Sequence, residues 1–213
     1  ISVLPSNNEN TGVICECDDD LNRITAGLGT HVKDTAVALR EISDNNWFLE
    51  LKADCAKEMV IGFIRLNGAI VGAVANRSEI LGEDGKAAKK FDSVLTMAGA
   101  YKAAHFVNLC DSFSIPVLTL TSVTGFASSV GEERSIARAL AKLTSAFANA
   151  TVPKVNLIVG KAYGSAYITM NSKHIGADLV FAYSDAEIGM MDAKLAAEII
   201  YDGKDAATIS EKA

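Results

Sequence analysis

At 213 residues, 49% hydrophobic and 22% charged, the chain has the size and composition of one globular domain with a sizeable core. A net charge of −6 speaks against nucleic acid as a partner, and no unbroken apolar run is long enough for a membrane span. The opening residues, ISVLPSNNEN, carry neither a basic region nor an apolar signal core, so nothing points to secretion, and the missing initiator Met fits an excised or processed chain. Cys15 and Cys17 are too close for an ordinary disulfide framework and have no further metal ligands at sensible spacing. Cys55 and Cys110 are isolated, so the cysteines read as reduced thiols, as in a cytoplasm.

Residues 1–22 are polar and acidic, ending in Asp18-Asp19-Asp20, and read as a solvated entry linker to a domain over 23–213. Asp34 precedes helix formers and predicts a short helix through Ile42. Trp47 to Leu51 reads as a short strand or the edge of the core. Two apolar runs, Val60–Leu66 and Ala69–Asn76, flank Asn67-Gly68, a dipeptide suited to a type I′ turn because both central positions need positive φ. Gly62 and Gly72 within these strands fit close backbone packing. Ser78 to Lys90 is charged and Gly-containing and reads as a loop.

Ser93–Phe113 carries small or apolar residues at Ala100, Ala104, Val107 and Cys110 or Phe113, a helical spacing, with His105 expected half-buried on it. Pro116 introduces the strand Val117–Leu120, which runs into a loop, TSVTGFASSVGEE, with a helix cap at Ser129 or Gly131. Glu132–Ala150 predicts a long helix, ended by Pro153, and VPKVNLIV (Val152–Val159) a buried strand. Short strands at Leu179–Ala182 and Ala186–Gly189 and a helix at Lys194–Tyr201 follow. Strand and helix alternate, so the fold class is α/β with parallel pairing.

The chemistry points to KAYGSAYITMNSKHIGAD, Lys161 to Asp178. A strand ending at the elbow Gly164-Ser165-Ala166 leaves main-chain N–H groups aimed into open space, with the dipole of a short helix behind them. Nothing there pairs a nucleophile with a base, so the expected work is holding an oxyanion. The alternative is a tight turn in which Gly and Ser serve sterics alone. His31, His105 and His174 are scattered, and no Ser/His/Asp set, paired carboxylates or HxxxH pattern assembles. Neither a GxxxxGK[ST] loop nor GxGxxG is present, which disfavours ATP and NAD.

ATVPKVNLIVGKAYGSAYITMNSKHIGAD (Ala150–Asp178) resembles the biotin-dependent carboxyltransferases of acyl-CoA carboxylases and decarboxylases. MVIGFIRLNGAIVGAVAN, AAHFVNLCDSFSIPVLTL and AEIGMMDAKLAAEII are similar to other segments of that family, in the same order. The resemblance implies a ClpP/crotonase-like superhelix of repeated ββα units. It covers the second of the family's two related halves, so the chain is expected to be truncated at both ends and, alone, inactive. It implies a backbone oxyanion hole at Ser165 and Ala166, where Ser165 replaces the family's Gly. Substrate or biotin contacts are implied at Gly125, Phe126, Tyr163 and Gly164. Ser122 and Thr124 stand where the family has Asp and Pro, which leaves the loop before Gly125 less rigid.

The implied cofactor is biotin on a partner protein or domain, with an acyl-CoA as substrate. The implied partners are the N-terminal carboxyltransferase half, a biotin carboxyl carrier protein and further copies of the chain, with no nucleic acid and no membrane insertion. Two other readings stay open: a stand-alone crotonase-fold hydratase, isomerase or decarboxylase, and a non-catalytic assembly module.

Overall fold

The computed structural model describes residues 32–82 and 84–201. The expected linker over 1–22, Cys15, Cys17 and His31 lie outside the described residues. Asp34 begins the fold as expected, capping helix α1 (Thr35–Ile42) by accepting from the Ala36 amide at 3.2 Å. Strand β1 (Phe48–Leu51) then pairs antiparallel with β2 (Met59–Leu66), which forms a hairpin with β3 (Ala69–Asn76). The turn has φ +52° at Asn67 and +76° at Gly68, the left-handed pair that Asn-Gly tolerates best. The loop expected over Ser78–Lys90 instead contains a second hairpin, β4 (Glu79–Leu81) and β5 (Ala87–Lys90). Every residue of β5 is exposed, so it has no inward-outward alternation by which to be read.

After β6 (Val94–Leu95) comes helix α2 (Met97–Ser112). Strand β7 (Val117–Val123) leads into β8 (Gly125–Phe126), which pairs parallel with β6. The single long helix expected over Glu132–Ala150 is two: α3 (Val130–Glu133), capped by Ser129, and α4 (Ile136–Asn149). Ser135, at φ −132°, breaks the register between them. Strand β9 (Lys154–Tyr163), helix α5 (Gly164–Thr169), β10 (Leu179–Ala182), β11 (Glu187–Gly189) and α6 (Ala193–Ile200) complete the described chain.

The main sheet runs β1-β2-β3-β7-β9-β10, with β11 also on β9; it is antiparallel up to β3 and parallel beyond. Alternate residues of β2 face opposite layers. Val60 and Ile64 pack under α1 with Leu39, Leu120 and Val159, while Met59 and Ile61 pack under α2 and α4 with Phe106, Leu143 and Phe147. The two strand glycines allow close approach: a Cβ on Gly62 would lie 2.2 Å from the Leu49 carbonyl oxygen, and one on Gly72 would lie 2.5 Å from Cys110 Sγ. On α2 the buried stripe includes Ala100, Ala103, Ala104, Val107 and Cys110. His105 falls off that stripe and is exposed rather than half-buried, and Phe113, just past the helix end, is 69% exposed. Burial pushes the Cys110 thiol up to about 12, so it stays protonated.

Candidate functional site

The elbow forms where β9 stops being able to continue. Tyr163 is still extended (φ −113°, ψ 137°), and Gly164 turns to φ +52°, a left-handed conformation that a Cβ would strain. A Cβ there would also stand 3.1 Å from the Met190 carbonyl oxygen, so the chain after β11 passes directly over the elbow. Helix α5 starts at once, and no side chain among the described residues caps it. The first amides of a helix have no acceptor within it, so those of Gly164, Ser165 and Ala166 must look outside α5 for one. Ser165 is exposed at this point, whereas Ala166 is 1% exposed and packs its methyl into the core.

The Gly125-Phe126 strand is brought to the same place. Helix α5 packs against β8, and half-buried Phe126 joins the core cluster that holds Ala166. A Cβ on Gly125 would meet nothing within 4 Å, so this glycine faces open space. Ser122 and Thr124 are tied into the surrounding structure. The Ser122 amide donates to Asn76 Oδ1 at 3.0 Å, and the Asn76 side-chain amide returns a bond to the Ser122 carbonyl. The Thr124 amide and hydroxyl both donate to the Ser93 carbonyl, at 2.7 and 2.9 Å. The loop without its Pro is thus anchored by side chains on both sides. A neighbouring cleft of about 440 Å3, lined by Phe91, Val94, Thr96, Ala127, Ser129 and Glu132 among others, includes none of the expected site residues.

Beside the elbow lies a charged cluster that sequence reading missed. Register places Glu187 of β11 opposite Lys161 of β9, and Gly189 opposite Tyr163. The Tyr163 hydroxyl donates to Glu187, while the Lys161 ammonium reaches Asp192 at 3.0 Å and Glu187 at 3.6 Å. Asp192 also caps α6, accepting from the Lys194 amide at 3.0 Å. The hydrogen bond to Asp192 holds the Lys161 ammonium above its ordinary range, and the Lys161 and Lys194 donors hold the Asp192 carboxyl below its own. Burial, with the Glu187 contact, raises the Tyr163 phenol. Tyr163, expected as a binding residue, is 5% exposed with its side chain turned to β11. The signal for Asp192 was present in the sequence, since Asp before AKLAAEII is a capping pattern; nothing local tied it to Lys161. His174 lies exposed on the 3-10 turn Lys173–Ile175, and His105 stands on the outer surface of α2.

The mixed sheet with its covering helices, and a strand that breaks into an uncapped helix beside a glycine strand, define an α/β domain of the crotonase-like class. The chain belongs to the carboxyl transferase domain family, which it matches over residues 1–213. It is 39% identical over 211 residues to the propionyl-CoA carboxylase beta chain of Roseobacter denitrificans, covering 95% of this chain and 39% of that protein. It is 36% identical over 208 residues to the human mitochondrial propionyl-CoA carboxylase beta chain, covering 94% of this chain and 37% of that one. Among solved structures, transcarboxylase 12S with hydrolysed methylmalonyl-coenzyme A bound superposes with a TM-score of 0.81 at 34% identity, covering 93% of this chain and 39% of that one. The beta subunit of P. aeruginosa geranyl-CoA carboxylase gives 0.68 at 27% identity, covering 83% and 32%. The chain therefore spans well under half the length of these relatives. Among the described residues no helix is long and apolar enough to cross a membrane.

Proposed function

We propose that this chain is the C-terminal half of a carboxyltransferase subunit that moves a carboxyl group between biotin and an acyl-CoA. The observation that carries the reading is the uncapped start of α5 beside Gly125 and Phe126. Its amides are preorganised donors with no partner in their own helix. Biotin supplies the carboxyl carrier. The residues here fit such a group: the free space at Gly125, the exposed Ser165 and the ring of Phe126 leave room for a small planar ureido ring at the elbow. Ser165 and Ala166 donate main-chain N–H groups to the developing negative charge, while Gly125, Phe126 and Gly164 shape the surface around it and Tyr163, buried against β11, contributes through its backbone at the end of β9.

The relatives' names favour a short acyl-CoA such as propionyl-CoA. The hexamer assembly named for transcarboxylase 12S favours a homo-oligomer that also engages an N-terminal half and a biotin carboxyl carrier protein. We place the complete enzyme in the cytoplasm. One observation favours a second reading, turnover of acyl-CoA alone: Glu187, its side chain 59% exposed, is a carboxylate beside the elbow that an acid–base mechanism could use.

The test is biotin-dependent carboxyl transfer to propionyl-CoA by the full-length assembly. Transfer that requires the biotinylated carrier and is lost in Ser165→Pro is the expected result. Carrier-independent turnover abolished by Glu187→Gln would establish the second reading instead.

A further inference from the structure

Four polar side chains at the far end of α5 from the elbow are fully buried: Thr119 and Thr121 on β7, Asn156 on β9, and Asn171 just after α5 are each 0% exposed. Burying such groups costs stability unless each finds a partner, and an apolar set would fill this space more cheaply. Two of them, Asn156 and Thr121, converge on one carbonyl, that of Met170. Asn156 donates from Nδ2 to the Met170 carbonyl at 3.1 Å, and the Thr121 hydroxyl lies 2.8 Å from Asn156 Oδ1 and 3.4 Å from the Met170 carbonyl. The shorter contact takes the hydroxyl proton and fixes which way the Asn156 amide faces. Asn171 donates from Nδ2 to the Thr119 hydroxyl at 3.1 Å and to the Val155 carbonyl at 3.3 Å. Thr119 and Asn156 are register partners across β7 and β9, so the set sits on the two central parallel strands.

Met170 is the C-cap of α5, and Asn171 leaves the helix in a left-handed conformation at φ +54°. The network therefore grips the far end of the helix whose near end is left uncapped. A helix of six residues does not hold its own shape in water. Its tilt and depth come from what fixes its two ends. At the start these are the Gly164 turn and the Met190 carbonyl above it; at the finish they are Asn156 and its partners. Among the described residues Asn171 Oδ1 has no hydrogen-bond partner, so the end of the helix is held through Asn156 and through the Asn171 side-chain amide nitrogen.

We propose that Asn156, oriented by Thr121, is a positioning residue that aims the Ser165 and Ala166 amides by holding the Met170 carbonyl. This inference rests on the carboxyl-transfer reading above. Misplacing preorganised donors by a fraction of an ångström weakens transition-state binding more than substrate binding.

The experiment uses the full-length assembly with propionyl-CoA and biotinylated carrier. Asn156→Leu keeps the branch at Cγ but removes the donor, Thr121→Val removes only the orienting hydroxyl, and Thr121→Ser restores it. Asn156→Leu is expected to lower kcat by about ten- to a hundredfold, with KM for propionyl-CoA within about twofold of the parent. Thr121→Val should lower kcat several-fold, with Thr121→Ser recovering most of it. A purely structural role would lower the melting temperature and leave kcat per folded molecule unchanged; that result, or failure of both Asn156→Leu and Thr121→Val to fold, overturns the proposal. Ser165→Pro run alongside separates the two claims. If it loses transfer while Asn156→Leu keeps kcat, only the positioning role fails. If it keeps the parental rate, the elbow reading fails and the positioning role falls with it.

Discussion

Helices α2 and α5 begin in opposite ways. At the start of α2, the Gly99 amide donates to the Thr96 hydroxyl oxygen at 2.9 Å and the Met97 amide to Glu132 at 2.6 Å, while the Thr96 hydroxyl itself donates to Glu58 at 2.5 Å. Two of its orphan donors are thus met by side chains, one from the helix's own N-cap and one from a distant segment, as a helix end packed against the fold requires. At the start of α5 no described side chain does this, although the surrounding structure is just as dense: Ala166 is 1% exposed and Met190 passes overhead. A helix end closed by side chains serves the fold. One left open beside a core wall, after a left-handed turn that Gly164 makes without strain, keeps its first amides clear of side-chain caps, as the proposed oxyanion role needs.

The sharpest way to break this contrast is Ser165→Pro. The side chain at 165 is exposed, so the ring replaces a surface hydroxyl while deleting one open amide, and Pro is compatible with the first turn of a helix. Biotin-dependent transfer should fall by roughly a hundredfold or more, about 3 kcal/mol of transition-state stabilisation, with the fold intact by circular dichroism. Ala166→Pro should be equally inactive but less well folded, because its ring must enter the core. Ser165→Gly keeps the amide and removes only an exposed hydroxymethyl group, so it should retain the parental rate. A folded Ser165→Pro enzyme at the parental rate would make the two helix ends equivalent.

Gly164→Ala tests the turn between strand and helix. It forces a Cβ into a left-handed conformation and to within 3.1 Å of the Met190 carbonyl oxygen. The expected cost is about 1–2 kcal/mol of stability, read from denaturant midpoints, together with a several-fold loss of kcat as the Met190 segment is pushed away. By contrast Thr96→Ala, at the closed end of α2, should cost about 1 kcal/mol of stability with no change in kcat. Equal kinetic effects at the two helix ends would show that both act through general stability alone.

What was legible in the sequence follows the range of the interactions. The Asp34 cap, the Asn67-Gly68 turn and the alternation of strand and helix from Pro116 onward are written within a few residues, and the structure keeps them within short distances of their expected bounds. The elbow was legible because a strand run meets Gly-Ser-Ala directly. The β4-β5 hairpin was not, since four exposed residues carry no periodicity. The Lys161 cluster depends on β11 lying beside β9, a pairing between segments more than twenty residues apart in the chain. Asn156 within an apolar run gave no clue to its partner, because the Met170 carbonyl belongs to the next turn of backbone and not to any side-chain pattern.

The smallest expected effect concerns the clamp that holds the segment over the elbow. Asp192→Asn preserves the N-cap of α6, for which Asn serves as well as Asp, and removes only the charge facing Lys161. Asp192 is depressed by its hydrogen bond from Lys161, so its contribution is present above the unfolded carboxyl value of about 3.9 and is lost as pH falls through its lower folded value. Lys161 is raised by the same bond, so its contribution is present below about 10.4 and is lost as pH rises through its higher folded value. The clamp therefore operates across the whole neutral range and opens at either extreme. Melting temperatures of parent and Asp192→Asn measured against pH should differ slightly at neutrality and converge in strong acid, and the difference should shrink with added salt because both groups are partly exposed. Transfer at neutral pH should change less than in any elbow variant, since the Met190 backbone is also held through the β9-β11 pairing. A loss of kcat as large as that of Gly164→Ala, without a matching loss of stability, would mean that the Lys161–Asp192 pair acts on the reacting charge directly rather than through the segment it ties down.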